Sequence, residues 1–294
     1  MQLPVTYLFA PGNRPERFDK AVAAQPDAII LDLEDSVHPA SKSMARAAVA
    51  AWHEANAGSD CRRYIRLNGN TPASLAEDLE WLTGLRHPER CSGIFLPKAE
   101  SIDAIMVAAS RLAGWNIDAR IIAIIETAKG LRAVDRIASV QAVARLAFGS
   151  LDFSLDIGCH QSNEAFLMAR SRVVIASRAA DLPPPIDGVS PALNDMRAVA
   201  DDVAHARTLG FAAKLCIHPA QVPVVRDGFR PTDEQVEWAR RVLGAVASGS
   251  YAAQVDGGMV DLPLIEQARR ILHQVEPWDA DARRPMGGVL SVAG

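Results

Sequence analysis

Apolar residues fall into eight short runs along the chain, and nearly every run ends on a charged or amide residue. The runs are Val5–Ala10, Ala28–Leu33, Tyr64–Leu67, Gly93–Leu96, Arg120–Ile125, Arg145–Phe148, Ile186–Val189 and Ala213–Ile217. A run such as AIILDLED is apolar at successive rather than alternate positions, as a strand buried on both faces requires. Between the runs, helical periodicity predicts helices over Ser41–Ala55, Thr71–Leu82, Ser101–Ala113, Ala128–Ala138, Glu164–Ala180 and Asn194–Leu209. Thr71 and Ser101 stand at N-cap positions, and Asn13 is placed to cap a helix with Pro15 in its first turn. The alternation is that of βα units on a parallel sheet. Eight units predict a (β/α)₈ barrel, whose chemistry gathers at the carboxyl ends of the strands.

The pattern changes past His218. Beyond it, helices are expected over Thr232–Ala247 and Leu262–Val275, with an irregular stretch, Gly249–Gly258, between them. The expected organisation is a catalytic barrel over 1–228, a helical lid or oligomer-contact extension over 229–276, and a flexible tail over 277–294.

Composition narrows the function classes. Of 294 residues 49% are hydrophobic and 22% charged, enough apolar sequence for a sizeable core. The net charge of −4 comes without a basic stripe, which argues against nucleic acid and membrane surfaces as partners. The N-terminus lacks the pattern of a secretion signal, and no apolar stretch reaches membrane-span length. Cys61, Cys91, Cys159 and Cys216 are scattered without CxxC spacing, as expected of reduced thiols in a cytoplasmic protein. Trp52, Trp81 and Trp115 lie in helical stretches and read as packing residues.

The strand exits carry Asp32, Glu34 and Asp35, then Arg66 and Asn68, Lys98, Glu126, Asp152 and His218. Glu126 and Asp152 close neighbouring strands, so their carboxylates can converge on one cation. Oxygen ligands favour a hard ion, Mg²⁺ or alternatively Mn²⁺. Each carboxylate taken alone also reads as a helix cap or a surface charge. Asp32 and Glu34 share one strand face, where one of the acids can hold metal-bound water. The alternative is that Asp35 or Ser36 merely caps the next segment. Arg66 either pairs structurally with these acids or grips a substrate carboxylate or oxyanion in bidentate fashion. Lys98 reads as charge balance or as a direct participant, and His218 as a satisfied structural residue.

The segments LFAPGNRPERFDKA, AIILDLEDSV, YIRLNG, FLPKAE, IIAIIETAKG, FGSLDF, PPIDGV, KLCIHPAQV and DGGMVDLPLIEQARRIL together resemble the citrate lyase β-subunit-like group of the HpcH/HpaI aldolase superfamily. The resemblance runs over residues 4 to 272, in the family's order. It implies a Mg²⁺-dependent barrel lyase that cleaves a 3-hydroxyacyl-coenzyme A thioester, such as citramalyl-CoA or malyl-CoA, to acetyl-CoA and a 2-oxo acid. By that likeness Glu126 and Asp152 are metal ligands, and Glu126 also borders the substrate. Arg66 binds substrate oxygens, with Glu34 in the catalytic cluster. Asp261, in MVDLP, matches a lid aspartate often supplied by an adjoining subunit, and is the expected proton carrier. Arg14 and Lys20 fall where coenzyme A phosphates are met. The resemblance further implies a homo-oligomer, commonly a trimer. A citrate lyase β-type subunit, dependent on partner chains, and a thioesterase using the same site are the alternative readings.

Overall fold

The computed structural model describes residues 3–113, 120–247, 254–256 and 258–282. The chain divides into two compact units, Leu3–Phe229 and the residues from Arg230 onward. In the first, eight parallel strands close into a barrel in sequence order: β1 (Thr6–Pro11), β2 (Ala28–Asp32), β3 (Arg63–Arg66), β4 (Gly93–Leu96), β5 (Ile121–Ile125), β6 (Val143–Phe148), β7 (Ile186–Asp187) and β8 (Ala213–Cys216). The runs read from sequence match these strands closely, because strands covered on both faces have no polar alternation to blur their ends.

Helices α1 (Phe18–Ala23), α2 (Lys42–Ala55), α3 (Pro72–Thr83), α4 (Ile102–Leu112), α5 (Ala128–Ala138), α6 (Ser150–Ile157), α7 (Asn163–Ala179), α8 (Met196–Leu209) and α9 (Gln221–Phe229) accompany the strands. Side chains alternate between two apolar layers. Tyr7, Ile30, Tyr64, Phe95, Ile122, Ile124, Ile186 and Leu215 fill the barrel interior. Leu8, Ile29, Leu31 and Ile65 face outward, against Val49, Leu79, Ile105, Val134 and Val173 of the helices. Tyr7, Tyr64 and Phe95 interlock with ring centroids 5.5–5.6 Å apart. At the amino end Arg145 reaches inward, donating to Pro184 O at 2.6 Å and Pro4 O at 2.8 Å. The same two-residue period that buries Ile30, Tyr64 and Ile124 inside turns Asp32, Arg66 and Glu126 toward the mouth.

Several expectations need correction. Asn13 caps nothing: a 3₁₀ turn at Pro15–Arg17 follows Arg14, and no side chain caps it. Thr71 forms a capping box with Ser74, but Ser101 makes no capping hydrogen bond. Helices α6 and α9 are additions, being too short for their periodicity to stand out. The stretch Gly249–Gly258, expected to be irregular, contains a short antiparallel pair, β9 (Gln254–Val255) with β10 (Gly258–Met259).

The second unit is built on α10 (Asp233–Ala247) and α11 (Leu262–Ala282), with Ala239, Val242, Val260, Ile265 and Ala268 in its small core. Helix α11 continues past the expected end at Val275, into the stretch read as tail. The remainder of that tail, and Trp115, lie outside the described residues.

Candidate active site

Asp32 ends β2 fully buried, and its carboxylate takes Arg66 in a two-pronged pair, Nε to Oδ1 at 2.6 Å and Nη2 to Oδ2 at 2.7 Å. Ser36 Oγ and the Glu34 amide also donate to Asp32. Burial opposes ionisation of Asp32, but the Arg66 charge holds its carboxyl below the ordinary range. Arg66 Nη1 lies 3.0 Å from Glu34 Oε2, and the guanidinium stacks over Phe9 at 4.7 Å. Glu34 is fully buried, its Oε1 accepting from Lys98 Nζ at 3.0 Å. Burial, abetted by the Asp35 charge and opposed by Arg66, pushes Glu34 up to about 7.

Glu126 follows β5 and is 2% exposed. Its Oε1 accepts from the Lys98 amide at 2.7 Å, and Oε2 makes no hydrogen bond among the described residues. Gly149 lies directly alongside, where a Cβ would sit only 2.3 Å from Glu126 Oε2. Lys98 itself holds φ at 46°, a left-handed conformation that costs a non-glycine residue about 1–3 kcal/mol. Burial, then the charges of Glu34 and Asp152, raise Glu126 to about 8. The shift thus reports first a dry pocket and only then the neighbouring acids.

A cavity of about 180 Å³ opens here, lined on its polar side by Asp32, Asp35, Ser36, Arg66, Glu126, Ser150 and Asp152. Asp152 lies on the first turn of α6 rather than directly at a strand exit, with Gly149 at the N-cap. Among the described residues no group of three or more His, Cys, Asp or Glu forms a ready-made metal cage. Two carboxylates in an acid-rich pocket suit Mg²⁺, which keeps several waters or substrate oxygens. The unengaged Oε2 of Glu126 is the natural donor.

The remaining candidates separate. Glu34 stands behind Arg66 and Lys98, contacts both, and does not itself line the cavity. Asp35 lines the cavity and Ser36 serves Asp32; His38, not either of them, caps the following turn. Asn68 turns to Asp78 at 2.8 Å, which in turn pairs with Arg46 at 2.9 Å. His218 Nδ1 accepts from the Ala220 amide, a structural contact. Arg14 and Lys20 are exposed beyond β1, Arg14 bonded to Glu16 at 2.6 Å, and neither lines the cavity. Asp261 belongs to the second unit, where it is exposed and its Oδ1 accepts from the Leu264 amide at 3.2 Å. Trp52 packs on Phe18, and Trp81 against the core, as expected. Sequence reasoning passed over Gly149 and Ser150, although FGS at a strand exit is a signal for close backbone approach.

Residues 6–219 match the family model described as HpcH/HpaI aldolase/citrate lyase. The chain belongs to this family. Within it, the chain is 34% identical over 280 residues to a citrate lyase subunit beta-like protein of Mycobacterium tuberculosis, covering 91% of this chain and 94% of the relative. It is 31% identical over 303 residues to the L-malyl-CoA/beta-methylmalyl-CoA lyase of Cereibacter sphaeroides, covering 92% of this chain and 93% of that protein. Its fold is similar to the crystal structure of CitE from Mycobacterium tuberculosis in complex with magnesium, acetoacetate and coenzyme A. That match has a TM-score of 0.80 at 32% identity, covering 93% of this chain and 98% of the other. As a member of the HpcH/HpaI aldolase/citrate lyase family, the protein is a lyase.

Proposed function

We propose that the protein is a Mg²⁺-dependent carbon–carbon lyase that cleaves a 3-hydroxyacyl-CoA thioester of citramalyl or malyl type into acetyl-CoA and a 2-oxo acid. The observation that carries this reading is Glu126: buried, tied at one oxygen, free at the other and raised in pKa beside Asp152. Glu126 and Asp152 hold the ion. When bound, Mg²⁺ polarises and orients the oxygens of the hydroxy acid as a Lewis acid.

The chain's own groups do the rest. Arg66 is held by Asp32 through Nε and one Nη2 proton and faces Glu34 with Nη1, which leaves its second Nη2 proton and the outer Nη1 proton for substrate oxygens. With Asp32 and Glu34 already balancing its charge, Arg66 contributes directed hydrogen bonds rather than net positive charge. Asp35, the acid of its cluster with the most exposed side chain at the cavity, receives the hydroxyl proton. As the hydroxyl becomes a carbonyl, the carbon–carbon bond breaks and its electron pair moves onto the thioester fragment as an enolate. Asp261, of this chain or a neighbouring copy, protonates the enolate carbon to give acetyl-CoA. Arg14 and Lys20 meet the coenzyme's phosphates outside the cavity.

The lyase works as a homo-oligomer, a reading supported by Leu155 and Met168, which are 81% and 67% exposed on α6 and α7. Light scattering of the purified chain checks it, and a monomer refutes it. Four free cysteines suit the reducing cytoplasm, and no described helix is long and apolar enough to cross a membrane. The deciding experiment supplies citramalyl-, malyl-, β-methylmalyl- and citryl-CoA with Mg²⁺ and identifies the acids released. Appearance of a 2-oxo acid, abolished by EDTA, supports the lyase. Release of free coenzyme A with an intact hydroxy acid would instead mark a thioesterase.

A further inference from the structure

The turn Pro97-Lys98-Ala99, between β4 and α4, takes no step in the reaction outlined above. Its backbone is nonetheless held with unusual firmness. Lys98 occupies the left-handed region at φ 46°, which a lysine keeps only where its surroundings over-determine it. Those surroundings are two glycines. A Cβ on Gly69 would approach Pro97 O to 2.6 Å, and one on Gly130 would approach Ala99 O to 2.7 Å. The turn is thus clamped on both flanks by backbone that has no side chain. The Ala99 amide adds a bond to Ile124 O at 3.2 Å.

From this clamp one residue reaches two carboxylates by different routes. The backbone N–H of Lys98 donates to Glu126 Oε1 at 2.7 Å, the one hydrogen bond of that carboxylate among the described residues. The side-chain Nζ donates to Glu34 Oε1 at 3.0 Å, and the other oxygen of Glu34 stands 3.0 Å from Arg66 Nη1.

We propose that Lys98 is a positioning residue with two separable halves: its amide, aimed by the left-handed turn, sets Glu126 for the metal, and its ammonium, through Glu34, sets Arg66 for the substrate. The inference rests on the reading of Glu126 as a Mg²⁺ ligand. A carboxylate tied at one oxygen presents the other in a single direction, whereas an untied one swings about its terminal torsion. Glu34 stripped of Nζ keeps only Arg66 and pulls that guanidinium toward itself.

The two halves predict opposite signatures, read by calorimetry of Mg²⁺ binding and by kcat and KM for the thioester. Lys98→Met keeps the amide and loses the ammonium. Its Mg²⁺ affinity stays within about 3-fold of wild type or tightens, while kcat falls by about 10–100-fold, the usual range for groups that orient others. Lys98→Arg recovers most of that loss. Gly69→Ala leaves Lys98 intact but drives its Cβ into the Pro97 carbonyl, and Mg²⁺ affinity falls at least about 10-fold. Gly130→Ala displaces the same turn from the other flank and gives an independent result should Gly69→Ala fail to fold. Parallel loss of Mg²⁺ affinity and kcat in Lys98→Met overturns the proposal, as does wild-type Mg²⁺ affinity in both folded glycine variants. Wild-type protein that binds no Mg²⁺ overturns the ligand role of Glu126, and the proposal with it.

Discussion

At the barrel mouth, Asp32, Glu34 and Asp35 gather around Arg66, with Lys98 on Glu34, Lys42 close by, and Glu126 and Asp152 in the same pocket, whereas on the barrel's outer wall one carboxylate, Asp187, faces both Lys214 and Arg170. Ile186 belongs to the interior layer, so Asp187 beside it points outward to α7. There Lys214 Nζ lies 2.7 Å from Asp187 Oδ2, and Arg170 Nε lies 3.1 Å from Oδ1. Both clusters are buried ionic networks, but they differ in what completes them. The wall's extra positive charge is met by the Gly188 carbonyl, 2.7 Å from Lys214 Nζ, and by the rings of Phe148 and Phe166 beneath Arg170. At the mouth carboxylates outnumber cations, and Glu126 Oε2 is left without a hydrogen bond among the described residues. A buried charge cluster signals a ligand when its own surroundings leave it unbalanced.

Four substitutions break or sharpen that contrast. Glu126→Gln is expected to have the largest effect. Turnover falls by more than about 10³-fold and Mg²⁺ binding is lost, since an electrostatic anchor of the reacting oxygens disappears. The metal-free protein melts no lower than wild type, because glutamine replaces a buried acid whose charged form the pocket disfavours. A lower melting temperature with Mg²⁺ binding retained would contradict the assignment. Asp187→Asn should do the reverse. It leaves two buried cations without their carboxylate and costs about 3–5 kcal/mol by denaturant titration, with kcat per folded molecule unchanged. Asp261→Asn comes next: about 10²–10⁴-fold in turnover, the worth of a positioned proton carrier, with Mg²⁺ affinity intact by calorimetry. Arg66→Lys costs less folding stability than Asp187→Asn. It replaces the two-pronged contact with Asp32 by a single one, and stability drops by about 1.5–3 kcal/mol in thermal or chemical melts.

Much of the mouth cluster was legible in the sequence because apolar runs declare their own ends. Arg66, Glu126 and the acids of LEDS stand where those runs stop, and the two-residue period assigns Asp32 and Arg66 a common interior face. Asp152 was legible as an acid after a strand, but its place on α6 was not, since eight residues give too little periodicity. The wall cluster went unread for a different reason. Lys214 in AKLC is a lone charge inside an apolar run, as Arg145 of the barrel floor is in VARLAF, and its partners come from other segments. Such a charge announces that an internal partner exists without saying which. Glu34 was legible as a member of the mouth cluster, but its place behind Arg66 and Lys98 was not, since residue type alone does not say which neighbour an acid faces.

Arg145 and the interlocked rings of Tyr7, Tyr64 and Phe95 close the amino end of the cylinder. Those side chains fill the floor beneath the cavity, so among the described residues the reacting carbon is approached from the strands' carboxyl ends. In heavy water a chirally labelled thioester should yield a methyl group of one handedness if a fixed proton carrier acts on one face of the enolate, and a racemic methyl if free solvent does.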